Sequence, residues 1–144
     1  AAHFKIPNIH TYSGGTEATA FNPRAVAALE RAGLRIHNPG GTNPEYELHF
    51  SDTHLPVTAF SKTYDYPSNP NSGFAAVMTC SDADENCPFI PGAEYRASVN
   101  YIDPKVSDGT TREEATYDER CRQIATEMFY TMNEVHENRL KAQA

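Results

Sequence analysis

The 144-residue chain has no tryptophan, only three methionines and only three cysteines. So few cysteines, in an odd number, exclude the disulfide framework that staples small secreted domains. No apolar run approaches the roughly 20 residues of a membrane-crossing helix, and the first residues do not read as a secretory leader. Positive charge is also scarce: 12 Lys and Arg stand against 19 Asp and Glu, for a net charge of -7. Such a surface repels nucleic acid and anionic membrane, which are excluded as partners of the whole molecule. These absences predict a cytoplasmic protein in one domain covering residues 1–144, long enough to bury a core without staples. The chain begins Ala1-Ala2 rather than Met, and residues are expected upstream.

What the sequence does contain centres on residues 73–88. The apolar run Gly73-Phe74-Ala75-Ala76-Val77-Met78 ends abruptly in Thr79-Cys80-Ser81-Asp82, which predicts a buried strand running into a helix capped by Ser81 or Asp82. Cys80 and Cys87 are seven residues apart, so a helix joining them would hold their Cα atoms about 10 Å apart. A disulfide needs roughly 7 Å or less. The pair can therefore bond only if the segment unwinds, and Asp84, Asn86 and Pro88 make unwinding cheap. Acidic neighbours raise the thiol pKa values, while the positive end of a helix lowers that of Cys80. Two readings stand side by side: a redox-switchable pair, or two small buried hydrophobes. No CxxC pair or histidine partner stands at zinc-ligand spacing.

Upstream, Ala1 to Lys5 reads as the tail of a helix broken at Pro7. Ile9 to Ser13 reads as a short strand ended by Gly14-Gly15, whose freedom suits a turn. Asn22 caps a helix with Pro23 at its first position, carrying Val26, Leu29 and Leu34 and stopped by Gly33. Strands are expected at Arg35–His37, Tyr46–Phe50 and, fully buried, Leu55–Phe60. His49, Asp52 and His54 lie close enough in sequence to hold a metal, or simply to form a hydrophilic turn. Residues 65–72, with Pro67 and Pro70, read as a loop. Downstream, Glu94–Tyr101 is β-favouring and leads into Asp103-Pro104. A long helix follows, capped by Thr110 or Thr111. Its apolar stripe of Tyr117, Ile124, Met128, Phe129, Met132 and Val135 is expected to face the core. Cys121, between Arg120 and Arg122, is expected to be structural. Alternating strands and helices predict an α/β fold, a parallel sheet flanked by helices with its site at the carboxyl ends of the strands. Cys80 and Asp103 both follow such ends.

The string Cys80-Ser-Asp-Ala-Asp-Glu-Asn-Cys87-Pro88 resembles the paired-cysteine segment of thioredoxin-coupled arsenate reductases, in the low-molecular-weight protein tyrosine phosphatase superfamily. Ser13-Gly14-Gly15-Thr16 resembles the turn after that family's second strand. Asn22-Pro23-Arg24-Ala25-Val26 with Gly33 resembles its second helix, and Asp103-Pro104 its general-acid loop. The similarity runs from about Ile9 to about Tyr130. The superfamily's nucleophile stands in a Cys-x5-Arg loop whose N–H groups cradle an oxyanion. This chain has no Cys-x5-Arg: the residues six after Cys80, Cys87 and Cys121 are Asn86, Ala93 and Glu127. The expected fold therefore lacks the family's first strand, central in its 2-1-3-4 sheet, and the anion loop. An N-terminally truncated domain is expected, inactive on its own.

For the complete protein the resemblance implies reduction of arsenate. An upstream cysteine attacks arsenate, Asp103 protonates the departing oxygen, Cys80 attacks the nucleophile's sulfur and Cys87 then attacks Cys80. Thioredoxin reduces the resulting disulfide, and no bound cofactor or metal is implied. The alternatives are a phosphatase hydrolysing aryl phosphate esters, in which Cys80 and Cys87 only protect the nucleophile, and a non-catalytic binding module.

Overall fold

The computed structural model describes residues 1–79 and 90–143. The helix expected after Cys80, with its Ser81 or Asp82 cap, lies outside the described residues.

Helix α1, Pro23–Arg31, forms where cap chemistry dictates. The Asn22 side chain accepts the Arg24 N–H at 2.9 Å and Pro23 opens the first turn. At the other end Leu34 N–H reaches Leu29 O (3.1 Å) and Gly33 N–H reaches Glu30 O (2.9 Å), with Gly33 at φ +103°. This pair of bonds closes the helix around a left-handed residue, for which glycine carries no Cβ penalty.

Three short strands follow: β1 (Arg35–His37), β2 (Tyr46–His49) and β3 (Val57–Ala59). They form one sheet in that order, with Arg35 opposite His49 and Tyr46 opposite Ala59. Both pairings are antiparallel, which corrects the expectation of an all-parallel sheet. The connections 38–45 and 50–56 contain no helix and are too short for the crossover that a parallel pair requires. Central β2 alternates as half-buried strands do, with Tyr46 and Leu48 buried and Glu47 exposed. Tyr46, Leu48 and Val26 of α1 form a core cluster joined by Phe21, Leu29, Leu34, Ile36 and Ala59. β3 is an edge strand rather than a buried one; Leu55 and Val57 are exposed.

Strands β4 (Phe74–Met78) and β5 (Ala93–Ser98) form a separate parallel pair, so the molecule is a mixed α/β protein with a small parallel sheet. Met78 and Ile90 make a second core cluster, with Tyr64, Phe74, Ala76 and Ala93 against it. Beyond β5 the pairing continues: Val99 N–H donates to Met78 O at 2.8 Å and Tyr101 N–H to Thr79 O at 2.9 Å.

Residues Ile9–Ser13 do not pair as a strand; the chain makes one parallel bridge there, Gly15 with Thr63. Gly15 N–H donates to Lys62 O (2.9 Å) and Tyr64 N–H to Gly15 O (3.0 Å). A Cβ on Gly14 would run into the backbone of Tyr64. Glycine is thus required by close approach of two backbones, not by the turn angles expected from the sequence, since Gly14 is not among the residues with positive φ.

The first residues have helix-end geometry. Ile6 N–H bonds Ala1 O and Lys5 N–H bonds Ala2 O, both at 3.1 Å, with Lys5 at φ +52°. This is the same closure as at Gly33 and agrees with the reading of Ala1–Lys5 as a helix tail. The long C-terminal helix α2, Glu113–Gln143, packs against α1 and against the 3₁₀ turn Pro104–Ser107. Of its apolar stripe only Tyr117 is buried. Met128 and Phe129 are exposed, contrary to expectation, because among the described residues little beyond the N-terminal turn covers that face: Phe129 touches the rings of His3 and Phe4. No described helix is long and apolar enough to cross a membrane.

Candidate functional site

Of the three residues singled out as catalytic, Cys80 and Cys87 lie outside the described residues, and Asp103 is described in full. The bonds from Val99 and Tyr101 to Met78 and Thr79 fix the surroundings of Asp103. They tie the chain two residues before Asp103 to the carboxyl end of β4, the residue before Cys80. The described backbone at the carboxyl ends of β4 and β5 is thus joined by hydrogen bonds.

Asp103 is exposed. Its carboxylate accepts the Lys105 N–H at 3.0 Å and caps the turn Pro104–Ser107, with Pro104 in the first position. Aspartate before proline suits such a cap, because its side chain replaces a backbone acceptor and proline has no N–H to satisfy. One oxygen remains for other partners, and exposure leaves it open to a substrate.

The loop is held from below. Ser107, buried, donates to Pro104 O at 2.8 Å, and Thr110 donates to Ser107 O at 2.7 Å. Asp108 accepts the Tyr117 hydroxyl at 2.9 Å, and that hydroxyl accepts from the Asn22 amide at 3.1 Å. Arg24 of α1 pairs with Asp108 (3.6 Å) and with Glu113 (2.9 Å). The Gly109 N–H donates to Glu113 at 2.6 Å; this bond first, and then Arg24, hold the Glu113 carboxyl below its ordinary pKa. Burial and then the bond to Asp108 push Tyr117 upward. One cluster therefore joins the N-terminus of α1, the start of α2 and the turn that follows Asp103. Asn22 serves it twice, as a helix cap and as a donor to Tyr117.

A second anchor lies before Asp103. The Tyr101 hydroxyl donates to Glu127 of α2 at 2.5 Å, which pushes its pKa up to about 12 and lowers that of Glu127. Gln123 donates to the other Glu127 oxygen at 2.9 Å and accepts from Arg120, whose guanidinium lies 5.9 Å from the Tyr101 ring centre. Sequence reasoning missed this network. Its only local signal was the spacing of Arg120, Gln123 and Glu127 at i, i+3 and i+7 on one helix face.

Cys121 is half-buried, and burial first, then Asp118, raise its thiol pKa against the opposing effect of Arg31. A raised pKa suits a structural cysteine. Arg31 bonds Asp118 at 2.6 Å, and Arg120 faces Gln123 and Tyr101. Of the conceivable metal ligands, Asp52 pairs with Arg35 at 2.5 Å and His54 bonds Ser51 at 3.0 Å. No group of three or more candidate ligands converges among the described residues.

No family model matches the chain, and no solved structure does. Curated proteins do. Arsenate reductase 2 of Staphylococcus epidermidis is 31% identical over 94 residues, 65% of this chain and 55% of that protein. The arsenate reductase of Bacillus subtilis is 28% identical over 111 residues, 77% of this chain and 65% of its own length. That of Shouchella clausii is 25% identical over 120 residues, 83% and 71% of the two chains. The chain spans about half the length of the first of these relatives. Curated arsenate reductases from several species are thus similar to this chain.

Proposed function

We propose that the complete protein reduces arsenate to arsenite through a cysteine relay recycled by thioredoxin. One observation carries the reading: similarity to arsenate reductases that extends over 94 to 120 residues of a chain whose Cys80 and Cys87 have the spacing of a switchable dithiol. The closed turn of Ala1–Ile6 supports an upstream helix, and the relay requires upstream a first strand and an anion loop with a nucleophilic cysteine.

In this scheme the upstream thiolate attacks arsenic(V), and Asp103 gives a proton to the oxygen that departs as water. The Cys80 thiolate then attacks the sulfur bound to arsenic. A disulfide forms, the sulfur–arsenic electron pair stays with arsenic, and arsenic(III) leaves as arsenite. Cys87 displaces the upstream sulfur from Cys80, which moves the disulfide to Cys80–Cys87. The dithiol of thioredoxin reduces it by two successive exchanges. The anchoring of Asp103 supports its role, because a proton donor must be held within hydrogen-bond reach of the leaving oxygen. The relay calls for a reducing compartment, the cytoplasm.

The test is arsenate turnover by the full-length protein with thioredoxin. Cys80→Ser and Cys87→Ser are each expected to abolish multiple turnover, and Asp103→Asn to slow it by about 100-fold or more. Hydrolysis of aryl phosphates that survives both cysteine substitutions, with no arsenate turnover in the wild type, would replace the reductase with a phosphatase.

A further inference from the structure

Away from the Asp103 loop, a cavity of about 570 Å³ opens between residues 11–13, β3 and residues 66–69. Its volume is that of a small-molecule site. Lys62 lines it with only 7% of its surface exposed, the one buried cation among the described residues. A buried ammonium is normally paired with a carboxylate, because removal from water without a counter-charge is costly. Lys62 has no such partner among the described residues. Its Nζ donates to the Ser13 hydroxyl at 3.4 Å and sits 4.5 Å from the centre of the Phe60 ring. Glu45 also lines the cavity, but it is exposed and not within ion-pair distance of Lys62.

Asn69 lines the same space, but its unsatisfied atom is sealed from it. The Asn69 amide donates to Ser13 O (3.0 Å), Tyr64 O (3.1 Å) and Thr63 O (3.4 Å). Three carbonyl partners fix which end of that amide is nitrogen, and its Oδ1 is left buried without a donor. Exposed apolar surface completes the lining, from Tyr12, Val57 and Tyr66.

We propose that this cavity binds a small organic oxyanion. Its carboxylate or phosphate group takes the free donors of Lys62 and the Ser13 hydroxyl. An aromatic or apolar body of the ligand lies against Tyr12, Val57 and Tyr66. Asp103 does not line the cavity. A ligand of this class supplies both the counter-charge and the cover for the apolar lining; an inorganic ion supplies only the first.

The test is an NMR titration of the full-length protein with phenyl phosphate, benzoate and inorganic phosphate. Phenyl phosphate or benzoate is expected to give saturable shifts at residues 11–13, Lys62 and 66–69, and the tighter of the two identifies the anionic group. Lys62→Met is expected to raise Kd at least tenfold, Ser13→Ala severalfold, and inorganic phosphate to bind at least tenfold more weakly than the organic ligand. Without ligand, Lys62→Met is expected to melt above the wild type, because it removes an unpaired buried charge. Affinity unchanged in Lys62→Met, or inorganic phosphate as tight as phenyl phosphate, would overturn the proposal. So would no saturable shift in the wild type with a lowered melting temperature in Lys62→Met, which would assign Lys62 to an internal ion pair of the full-length protein.

Discussion

The two sheets of this molecule are built on opposite terms. The antiparallel sheet has α1 across one face, and its central strand buries every second residue, Tyr46 and Leu48. Parallel strands ordinarily bury both faces. Yet the β4–β5 pair leaves Val77 at 49% and Tyr95 at 67% exposure, with Met78 and Ile90 as its buried centre. Stability within the described residues therefore resides mainly in the first sheet, while the chemistry expected of the chain sits at the carboxyl end of the second. The Asp103 loop does not rely for position on its own sheet alone, although Val99 and Tyr101 bond Met78 and Thr79. It is held from α2 by Tyr101–Glu127 and from α1 by the Asn22–Tyr117–Asp108 cluster.

That contrast breaks most visibly in paired core truncations. Leu48→Ala should cost about 2–5 kcal/mol, whereas Val77→Ala should change stability by less than about 0.5 kcal/mol. Denaturant unfolding of both variants checks this, and equal losses would show the parallel pair to be as well covered as its neighbour. Next in size, Gly14→Ala forces the Gly15–Thr63 bridge apart and is expected to cost about 1–3 kcal/mol in the same assay. Asn22→Ala removes a cap and a donor to Tyr117 and should cost about 1 kcal/mol.

Apart from Val77→Ala, the smallest effect is expected at Tyr101, which is half-buried. Tyr101→Phe should cost less than about 1 kcal/mol at neutral pH. Its pH dependence is more informative. The folded-state pKa of Tyr101 is raised to about 12, so its contribution is complete below about pH 10 and is lost as pH rises through 12. Glu127 is lowered, so its contribution holds above about pH 4.3 and is lost as pH falls through the folded value. Wild type and Tyr101→Phe should therefore differ most between those limits and converge at both extremes, as read from melting temperature against pH.

The parts legible in the sequence were those written in adjacent residues. Asn22, Pro23 and Gly33 marked α1 because caps and helix stops act over three or four positions. The places of β1, β2, β4 and β5 could be read from their apolar patterns. Strand direction could not, because alternation is the same in parallel and antiparallel ladders; only the short helix-free connections around β2 decide it. Ile9–Ser13 carries a strand's residues, but a ladder needs a partner, and the described chain supplies one only at Thr63. The turn that Asp103 caps could be read from its Asp-Pro pair, whereas the contacts that hold it span 26 residues from Tyr101 to Glu127 and 95 from Asn22 to Tyr117. Pairings at that separation leave no local trace. Lys62 was passed over because a lone lysine in a polar stretch looks solvated until its burial is seen.

The backbone approach at Gly14 has a genetic consequence. Most steric defects can be relieved by a compensating change that shortens the side chain opposite. Here the group opposite is the main chain of Tyr64, which every amino acid shares. A variant at Gly14 should therefore have no intragenic suppressor at position 64, and revertants from such a screen should restore glycine itself.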